Sequence, residues 1–185
     1  SNAAVTDMLK KLSRDGFIDY KKYKSIKLTT DGESYAKNIL RRHRIWEVFL
    51  YKTLGMSWDK IHDEAEKLEH SSSDELINLL EEFLDYPEVD PHGYPIPDKK
   101  GKIKDSKSVI AITELNKNES AKVVRVNDDV KNLLTYLTKI GINLGREIKI
   151  KDKLEFDGSI LIKINGNDVN LSKKVASNIF VEKIK

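Results

Sequence analysis

The position of the prolines divides this chain into two parts with different hydrophobic periodicity. All four prolines lie between Pro87 and Pro97, and a polar stretch follows as far as residue 107. Apolar residues before the prolines recur every three or four positions, as in amphipathic helices, whereas those after residue 108 alternate with polar residues, as in strands. We therefore predict a mainly α fold with a C-terminal all-β module, joined by a proline-rich linker over residues 87–107.

The first thirty residues are predicted to form part of a winged helix-turn-helix. Apolar residues from Val5 to Leu12 have helical spacing, Asp15-Gly16 ends that helix, and short strands follow over residues 17–20 and 25–28. In such a module the helix enters the major groove and the basic hairpin contacts phosphate. We expect its earlier helices to lie outside this sequence. The candidate DNA contacts are Ala3, Thr6, Asp7, Lys10, Lys21, Lys22 and Lys24.

Residues 31–86 are predicted to form a domain of three helices. The first helix follows Thr29 and ends near Gly55. Ser57 is predicted to cap the second helix, and Ser72 or Ser73 the third, because a serine hydroxyl accepts a hydrogen bond from the first turn. Three short-looped helices leave apolar surface uncovered, so we predict that this domain forms a homodimer.

Residues 108–185 are predicted to form the β module. The strand candidates are residues 109–112, 121–126, 147–151, 160–164 and 179–182, with one helix over residues 129–140. Asp157-Gly158 and Asn165-Gly166 are strong hairpin turns. Short strands around one helix predict a small SH3-like barrel.

The second predicted helix of the middle domain carries a cluster of imidazoles and carboxylates. On a helix of 3.6 residues per turn, His62, Glu66, Glu69 and His70 fall within an arc of roughly 100°. Such donors suit Mn²⁺, Fe²⁺, Co²⁺ or Zn²⁺, so the pattern predicts a divalent cation site. Taken singly, each of these residues could instead be a solvated charge or a hydrogen-bonded core histidine.

The preceding helix carries a second pair at helical spacing. His43 and Glu47 lie four residues apart and share a face. Three of the chain's four histidines therefore stand beside carboxylates at ligand spacing, and His92 follows Asp90 in the proline-rich segment. This concentration favours metal binding over an incidental distribution.

Composition and charge limit the classes of protein that the sequence can encode. The chain has no cysteine, which excludes disulfides and thiolate metal sites, and no apolar run long enough to span a membrane. We expect a cytoplasmic protein without a membrane partner. The net charge of +3 is too small to indicate nucleic-acid binding, but residues 10–27 are basic and residues 59–90 are acidic. That asymmetry suits an anion-binding end joined to a cation-binding middle.

Residues 34–97 resemble the dimerisation domain of the iron- and manganese-dependent transcriptional repressors, the family of the diphtheria toxin repressor and the manganese transport regulator. The resemblance rests on Arg42-His43-Arg44 with Glu47, on residues 62–75 (HDEAEKLEHSSSDE), and on Asp90-Pro91-His92-Gly93 with Pro95-Ile96-Pro97. It extends in weaker form to both ends, where the C-terminal module resembles the FeoA-type domain.

The resemblance implies two metal sites. His43, Glu47 and His62 match the family's ancillary site, which the C-terminal barrel can complete. Glu66, Glu69 and His70 match its primary site, which the family completes with a residue from an N-terminal helix that this sequence lacks. Further candidate ligands are Asp90 and His92 in the loop, and Asp128 or Asp129 at the start of the module's helix.

Glu66 bears on the identity of the metal. Manganese sensors of the family tend to have glutamate at this position, and iron-selective members tend to have cysteine. The resemblance therefore implies Mn²⁺ or, less closely, Fe²⁺, with Zn²⁺, Co²⁺ or Ni²⁺ as substitutes in vitro.

The implied function is that of a metal-activated repressor. It would bind an inverted-repeat operator in double-stranded DNA as a homodimer and silence metal-uptake genes, with no small-molecule substrate and no enzymatic activity. One alternative is a metal-independent dimeric adaptor, which leaves the His/Glu cluster unexplained. Another is a carboxylate-bridged metalloenzyme, but the Glu-x-x-His motifs of such helical centres are absent from the sequence.

Overall fold

The computed structural model describes residues 2–21, 25–104, 109–130 and 132–184. The N-terminal part contains α1 (Asn2–Arg14), β1 (Ile18–Asp19), β2 (Lys27–Leu28), α2 (Thr30–Lys52), α3 (Ile61–Glu69) and α4 (Asp74–Phe83). The C-terminal part contains β3 (Ile110–Ala111), β4 (Ser120–Val126), α5 (Leu133–Lys139), β5 (Glu147–Lys153), β6 (Ile160–Ile164), β7 (Asn167–Leu171), α6 (Lys173–Ala176) and β8 (Ile179–Lys183). The predicted mainly α fold with a C-terminal β module is confirmed.

The N-terminal helix and hairpin dock against the start of α2. The Thr29 hydroxyl caps α2 by accepting from the Gly32 amide at 3.0 Å, and it donates to the Gly16 carbonyl at 2.6 Å. A Cβ at Gly32 would lie 1.9 Å from the Phe17 carbonyl oxygen, so only glycine allows this approach. The helix and hairpin predicted from the sequence are confirmed, although each strand is only two residues long.

The three predicted helices of the middle domain are present, and one predicted cap is wrong. Ser73 caps α4, because its hydroxyl accepts from the Leu76 amide at 3.1 Å. Ser57 does not cap α3: its hydroxyl donates to the Asp59 carboxylate, residues 58–60 form a turn, and α3 begins at Ile61. Here the Asp59 carboxylate binds the Ser57 hydroxyl, which therefore does not cap the start of the helix.

The β module is an antiparallel sheet of six strands in the order β3-β8-β4-β5-β6-β7. In the described part of the chain the sheet is open, with β3 and β7 at its ends, so the predicted SH3-like module is present but does not form a closed barrel. Asn165 and Gly166 both have positive φ and join β6 to β7 as a two-residue hairpin. The strand β7 and the short helix α6 were not predicted.

The module's main helix is shorter than predicted. Asn132 adopts the left-handed conformation, with φ of 64°, directly before α5. The helix therefore begins at Leu133 and not at Asp129. This shift leaves Asp128 and Asp129 in the turn that follows β4, where their side chains are free to face the helical part.

The helical part and the β module share one hydrophobic core. Leu50, Trp58, Ile61 and Ala65 belong to the same buried cluster as the inner face of the sheet and α5. The Trp58 indole donates to the Thr138 hydroxyl at 2.8 Å, which ties the turn before α3 to α5. The relative placement of the two parts is therefore set by packing.

The proline-rich segment is packed between these parts. Ile96 is buried with Ile45, Val48 and Ile77, and Val89 pairs with Pro95 in an isolated bridge. Asp90 and His92 are also buried. The domain boundaries drawn from the sequence stay a prediction, but residues 88–98 have tertiary contacts that a free linker lacks.

Three apolar side chains of α4 are exposed to solvent. They are Leu76, Leu79 and Phe83, and Phe83 retains 67% of its accessible surface.

Within the described residues, no helix combines the length and the apolar character needed to cross a membrane.

Candidate metal centre

Six candidate metal donors converge where the helical part meets the β module. His43 and Glu47 come from α2 and His62 from the first turn of α3. Asp90 and His92 come from the proline-rich segment, and Asp128 from the turn after β4. All of them except His92 line a cavity of about 250 Å³, which Asp129 also lines. Residues far apart in the chain are therefore brought together, and they include His43, Glu47 and His62, which the family resemblance had placed in one site.

The first cluster is His43, Glu47 and His62. His43 Nε2 lies 3.1 Å from Glu47 Oε1 and 3.2 Å from His62 Nδ1, and His62 Nδ1 lies 3.6 Å from Glu47 Oε1. Donors that are each about 2.1 Å from one ion are about 3.0 to 3.4 Å apart in octahedral or tetrahedral geometry. Two of the three donor distances fall in this range and the 3.6 Å distance is slightly longer, so the donors are close to the spacing of a coordination shell.

A carboxylate behind His43 sets the orientation of its ring. His43 Nδ1 lies 2.6 Å from Glu69 Oε2, and both side chains are largely buried. A carboxylate on one ring nitrogen places the proton there and leaves the lone pair of the other nitrogen for a metal. Glu69 thus directs the Nε2 of His43 toward Glu47 and His62.

The second cluster is Glu47, Asp90 and His92, whose donor atoms lie within 4.8 Å of one another. His92 Nδ1 lies 3.7 Å from Glu47 Oε1 and 3.5 Å from Asp128 Oδ2. Its Nε2 is 2.9 Å from the carbonyl oxygen of Trp58, which fixes the ring. Glu47 Oε1 is common to both clusters, so this carboxylate would be available to hold a cation in either of them.

His92 Nδ1 provides the test of whether a metal fits this centre. The nitrogen is fully buried and makes no hydrogen bond to any described residue. A buried polar atom without a hydrogen bond is rare and indicates a bound water, an ion or a functional role. With Nε2 donating to Trp58, the Nδ1 lone pair faces two carboxylates, an arrangement that a cation or a proton would stabilise. The nitrogen and oxygen donors fit a divalent ion of the Mn²⁺, Fe²⁺ or Zn²⁺ type.

The electrostatics of the centre are consistent with cation binding. Burial acts to raise the pKa of Glu47, but His43 and His92 outweigh it and lower that pKa to about 2. Burial acts to lower the pKa of His92, but the Glu47 carboxylate outweighs it and raises that pKa to about 9. Burial and the Glu47 charge raise the pKa of Asp90 to about 6. In the metal-free protein, protons on histidine therefore balance the carboxylate charge.

Backbone and side-chain contacts hold the segment that carries Asp90 and His92. Asp90 Oδ1 accepts from the amides of His92 at 2.8 Å and Tyr94 at 3.0 Å, and Arg44 Nε lies 3.3 Å from Asp90 Oδ2. The Val126 amide donates to the His92 carbonyl at 3.0 Å. No local pattern in the sequence indicates a role for Arg44, although it adjoins His43 in the chain. Only the packed structure shows that it contacts Asp90.

The residues matched to the primary site are partly brought together. Glu69 is buried, and its Oε1 lies 3.1 Å from His70 Nε2. Glu66 is exposed. Across the described residues, the donor groups of three or more are His43–Glu47–His62 and Glu47–Asp90–His92, and Glu66 belongs to neither. The assignment of Glu66, Glu69 and His70 as ligands stays a prediction.

The predicted DNA contacts lie at the opposite end of the helical part. Ala3, Asp7 and Lys10 are exposed on α1, with Asp7 and Lys10 paired at 3.5 Å, and Thr6 is half-buried. Lys21 is exposed at the start of the hairpin connection. Lys22 and Lys24 lie outside the described residues.

Two family models match most of the chain. The metal binding and dimerisation domain of iron dependent repressors matches residues 29–98, and the FeoA domain matches residues 110–183. The chain is 32% identical to the diphtheria toxin repressor of Corynebacterium glutamicum over 194 residues, which cover all of this chain and 83% of that protein.

Solved structures of repressors are also similar to this chain. A manganese-dependent transcriptional repressor in complex with manganese matches with a TM-score of 0.91 at 33% identity, covering 100% of this chain and 85% of that one. A structure of ScaR with bound Zn²⁺ matches with a TM-score of 0.82 at 35% identity, covering 100% of this chain and 86% of that one.

Proposed function

This chain belongs to the family of metal-dependent transcriptional repressors that includes the diphtheria toxin repressor, and we propose that it responds to Mn²⁺ bound at the junction of its helical part and its β module. The family is one of metal-activated regulators of transcription and not of enzymes. The observation that carries the proposal is that two donor groups share Glu47, and that one of them contains the buried His92 Nδ1, which makes no hydrogen bond to a described residue.

The ligand assignment follows the geometry of the two clusters. His43, Glu47 and His62 would hold one ion, and Glu47, Asp90, His92 and Asp128 a second. Oxygen and imidazole donors without thiolate favour a hard to borderline ion, and a relative that carries the name of a manganese-dependent repressor contains manganese. Glu66, Glu69 and His70 are proposed as a further site nearer the DNA end.

Bound cations would neutralise the carboxylates at the junction and crosslink α2, α3, the proline-rich segment and the turn after β4. A series of side-chain contacts and the helix α2 then connect this site to the end of the chain that is proposed to bind DNA. His43 contacts Glu47 on one side and Glu69 on the other, and Glu69 contacts His70. The same helix α2 begins at Thr30, and Gly32 in its first turn packs against the Phe17 carbonyl between α1 and β1. Two sites on one rigid helix can bias a common conformational equilibrium, which is the basis of allosteric coupling.

The DNA-binding form is proposed to be a homodimer. The exposed apolar side chains of α4 (Leu76, Leu79 and Phe83) are the surface that a second copy would cover. Their position within the region matched to a dimerisation domain supports this occupant. A dimer would present two α1 helices to the two halves of an inverted-repeat operator, because operator symmetry mirrors protein symmetry.

The proposal is tested by titrating the chain with Mn²⁺ in the presence of DNA from upstream of its own gene. We expect saturable Mn²⁺ binding, a higher melting temperature, and a DNA mobility shift that requires the metal and is reversed by chelator. DNA binding that is equal with and without Mn²⁺ would contradict metal activation. An unchanged melting temperature on adding Mn²⁺ would favour the metal-independent adaptor.

Replacing Glu69 by alanine is expected to abolish metal-dependent DNA binding while leaving the dimer intact. His43 would lose the partner that orients its ring, and the loss of such a partner typically lowers metal affinity by about 10- to 100-fold. Mn²⁺ titration would measure the metal affinity, a DNA mobility shift would measure metal-dependent DNA binding, and analytical ultracentrifugation would show whether the dimer is intact. A variant with the metal response of the wild type would refute the assignment of Glu69.

Binding of Mn²⁺ is expected to release protons. With a pKa raised to about 9, His92 is protonated at pH 7, and it must be neutral to act as a ligand. For one released proton, affinity should fall by about tenfold for each pH unit below 9. Calorimetry at pH 7 in buffers of different ionisation enthalpy measures the release. The His92→Gln variant should release fewer protons, and equal release by both proteins would rule out His92 as the source.

A further inference from the structure

The turn before α3 holds the side chain of His92 through one main-chain atom. The Trp58 carbonyl oxygen lies 2.9 Å from His92 Nε2. A carbonyl oxygen can only accept a hydrogen bond, so Nε2 carries a proton and the lone pair of the neutral ring is at Nδ1. The Trp58 indole also stacks on the His92 ring, with centroids 6.1 Å apart. Both the tautomer and the orientation of His92 therefore depend on where Trp58 lies.

Trp58 is in turn anchored by a helix of the β module. Its indole Nε1 donates to the Thr138 hydroxyl of α5 at 2.8 Å, and this hydroxyl donates to the Leu134 carbonyl at 3.0 Å. The second bond fixes the direction in which the hydroxyl accepts. Because Trp58 is only 6% exposed, loss of this acceptor would leave a largely buried N–H without its partner. The Thr138 hydroxyl thus holds the indole in one position.

A second threonine of α5 contacts the same turn, but through a different residue. Thr135 lies one helical turn before Thr138 on the same face, and its hydroxyl donates to Asp59 Oδ2 at 2.9 Å. Among the described residues, Asp59 belongs to neither group of candidate metal donors. Thr138 therefore contacts a residue that hydrogen-bonds to a candidate ligand, whereas the partner of Thr135 is not bonded to one.

We propose that Thr138 is a positioning residue of the metal centre, which acts through the Trp58 indole to hold the carbonyl that orients His92 Nδ1 toward Glu47 and Asp128. The inference rests on the proposed function and extends it to a residue that is not itself a ligand. Groups that hold the second nitrogen of a ligating histidine fix the tautomer and orientation of its ring, and thereby set metal affinity. The β module would then contribute to metal affinity through α5 as well as through Asp128.

The substitution Thr138→Val tests the proposal, and Thr135→Val is its matched control. Valine keeps the β-branched shape of threonine and removes the hydroxyl. Each variant loses one hydrogen bond between an exposed threonine of α5 and the turn before α3. Thr138→Ser keeps the hydroxyl and tests for rescue. Mn²⁺ affinity would be measured by isothermal titration, and thermal unfolding would establish the folded fraction of each variant.

Thr138→Val is expected to weaken Mn²⁺ binding at the cluster that contains His92 by about five- to tenfold at equal folded fraction. This loss is smaller than the 10- to 100-fold, roughly, that follows removal of a direct partner of a ligand, because Thr138 acts through Trp58. Thr135→Val and Thr138→Ser should both bind Mn²⁺ with close to the wild-type affinity.

A second measurement follows the His92 ring in the metal-free protein. Nuclear magnetic resonance detects the Nε2 proton that is hydrogen-bonded to the Trp58 carbonyl, and its rate of exchange with water reports how often this contact opens. We expect faster exchange in Thr138→Val than in the wild type, Thr135→Val or Thr138→Ser. A merely structural loss of stability elsewhere in α5 would affect both valine variants alike.

Three results would overturn the role of Thr138: wild-type Mn²⁺ affinity in Thr138→Val, an equal loss of affinity in both valine variants, or a wild-type exchange rate of the His92 Nε2 proton in Thr138→Val. An equal loss would mean that the docking of α5, and not the contact with Trp58, sets the affinity. In all three cases saturable Mn²⁺ binding by the wild type leaves the proposed function standing. Absence of that binding would refute the proposed function itself, and the role of Thr138 in metal binding with it.

Discussion

The Glu47→Gln variant is expected to lose at least about 100-fold in Mn²⁺ affinity, because Glu47 Oε1 belongs to both donor clusters. Loss of an outer partner of a ligand already lowers affinity by about 10- to 100-fold, and Glu47 is proposed as a ligand of two ions. The substitution also removes the negative charge that raises the pKa of His92, so His92 should become neutral near pH 7. We expect the metal-free protein to be less stable by roughly 1–3 kcal/mol.

Glu81→Gln is the matched control for Glu47→Gln. Glu81 is also a buried carboxylate, paired with Arg41 at 2.6 Å, but it belongs to neither donor cluster. This variant should lose stability without losing Mn²⁺ affinity at equal folded fraction. Isothermal titration measures the Mn²⁺ affinity, and urea unfolding measures the free energy of unfolding. Equal affinities in the two variants would show that Glu47 is not a ligand.

The Gly93→Ala variant is expected to separate the proline-rich segment from the sheet. A Cβ at Gly93 would lie 2.0 Å from the Val124 carbonyl oxygen and 2.8 Å from the Arg125 Cα, and the backbone has a φ of +91°. Moving the segment away would break the hydrogen bond from the Val126 amide to the His92 carbonyl. The expected loss of stability is roughly 3 kcal/mol or more, since strain at positive φ alone costs about 1–3 kcal/mol.

The metal-binding consequence of Gly93→Ala should be selective. Asp90 and His92 would lose their alignment, whereas His43, Glu47 and His62 are held by α2 and α3. We expect the variant chain to bind one Mn²⁺ ion fewer than the wild-type chain, counted by electron paramagnetic resonance of the free ion. Gly166→Ala is the control, because its φ of +84° imposes a similar strain with nothing within 4 Å of the added Cβ. The same number of bound ions in Gly93→Ala as in Gly166→Ala would show that the segment does not supply ligands.

Local patterns in the sequence were sufficient for most of the elements. Helical spacing predicted α1 to α4, and Asn165-Gly166 predicted its hairpin, because both signals depend on neighbours within one turn of the chain. The errors also have local causes. Ser57 found a nearer acceptor in Asp59, and Asn132 in the left-handed conformation delayed α5 until Leu133.

The metal centre was only partly predictable. His43, Glu47 and His62 stand out because their spacing puts imidazole and carboxylate together on helix faces. Asp90, His92 and Asp128 carry no such periodic signal, since they lie in a loop and a turn. Arg44 carries none either, because its partner Asp90 is 46 positions away in the chain.

The sequence by itself determined which donors the protein has, which helix faces carry them, and where the chain changes from helix to strand. Only the tertiary structure decided that Glu47 joins two clusters, that Glu69 orients His43, and that His92 Nδ1 is buried without a hydrogen bond to a described residue. The reason is physical: spacing along a helix sets which side chains share a face. Packing of α2, α3 and the proline-rich segment against the sheet sets which faces meet and which polar atoms lose contact with water.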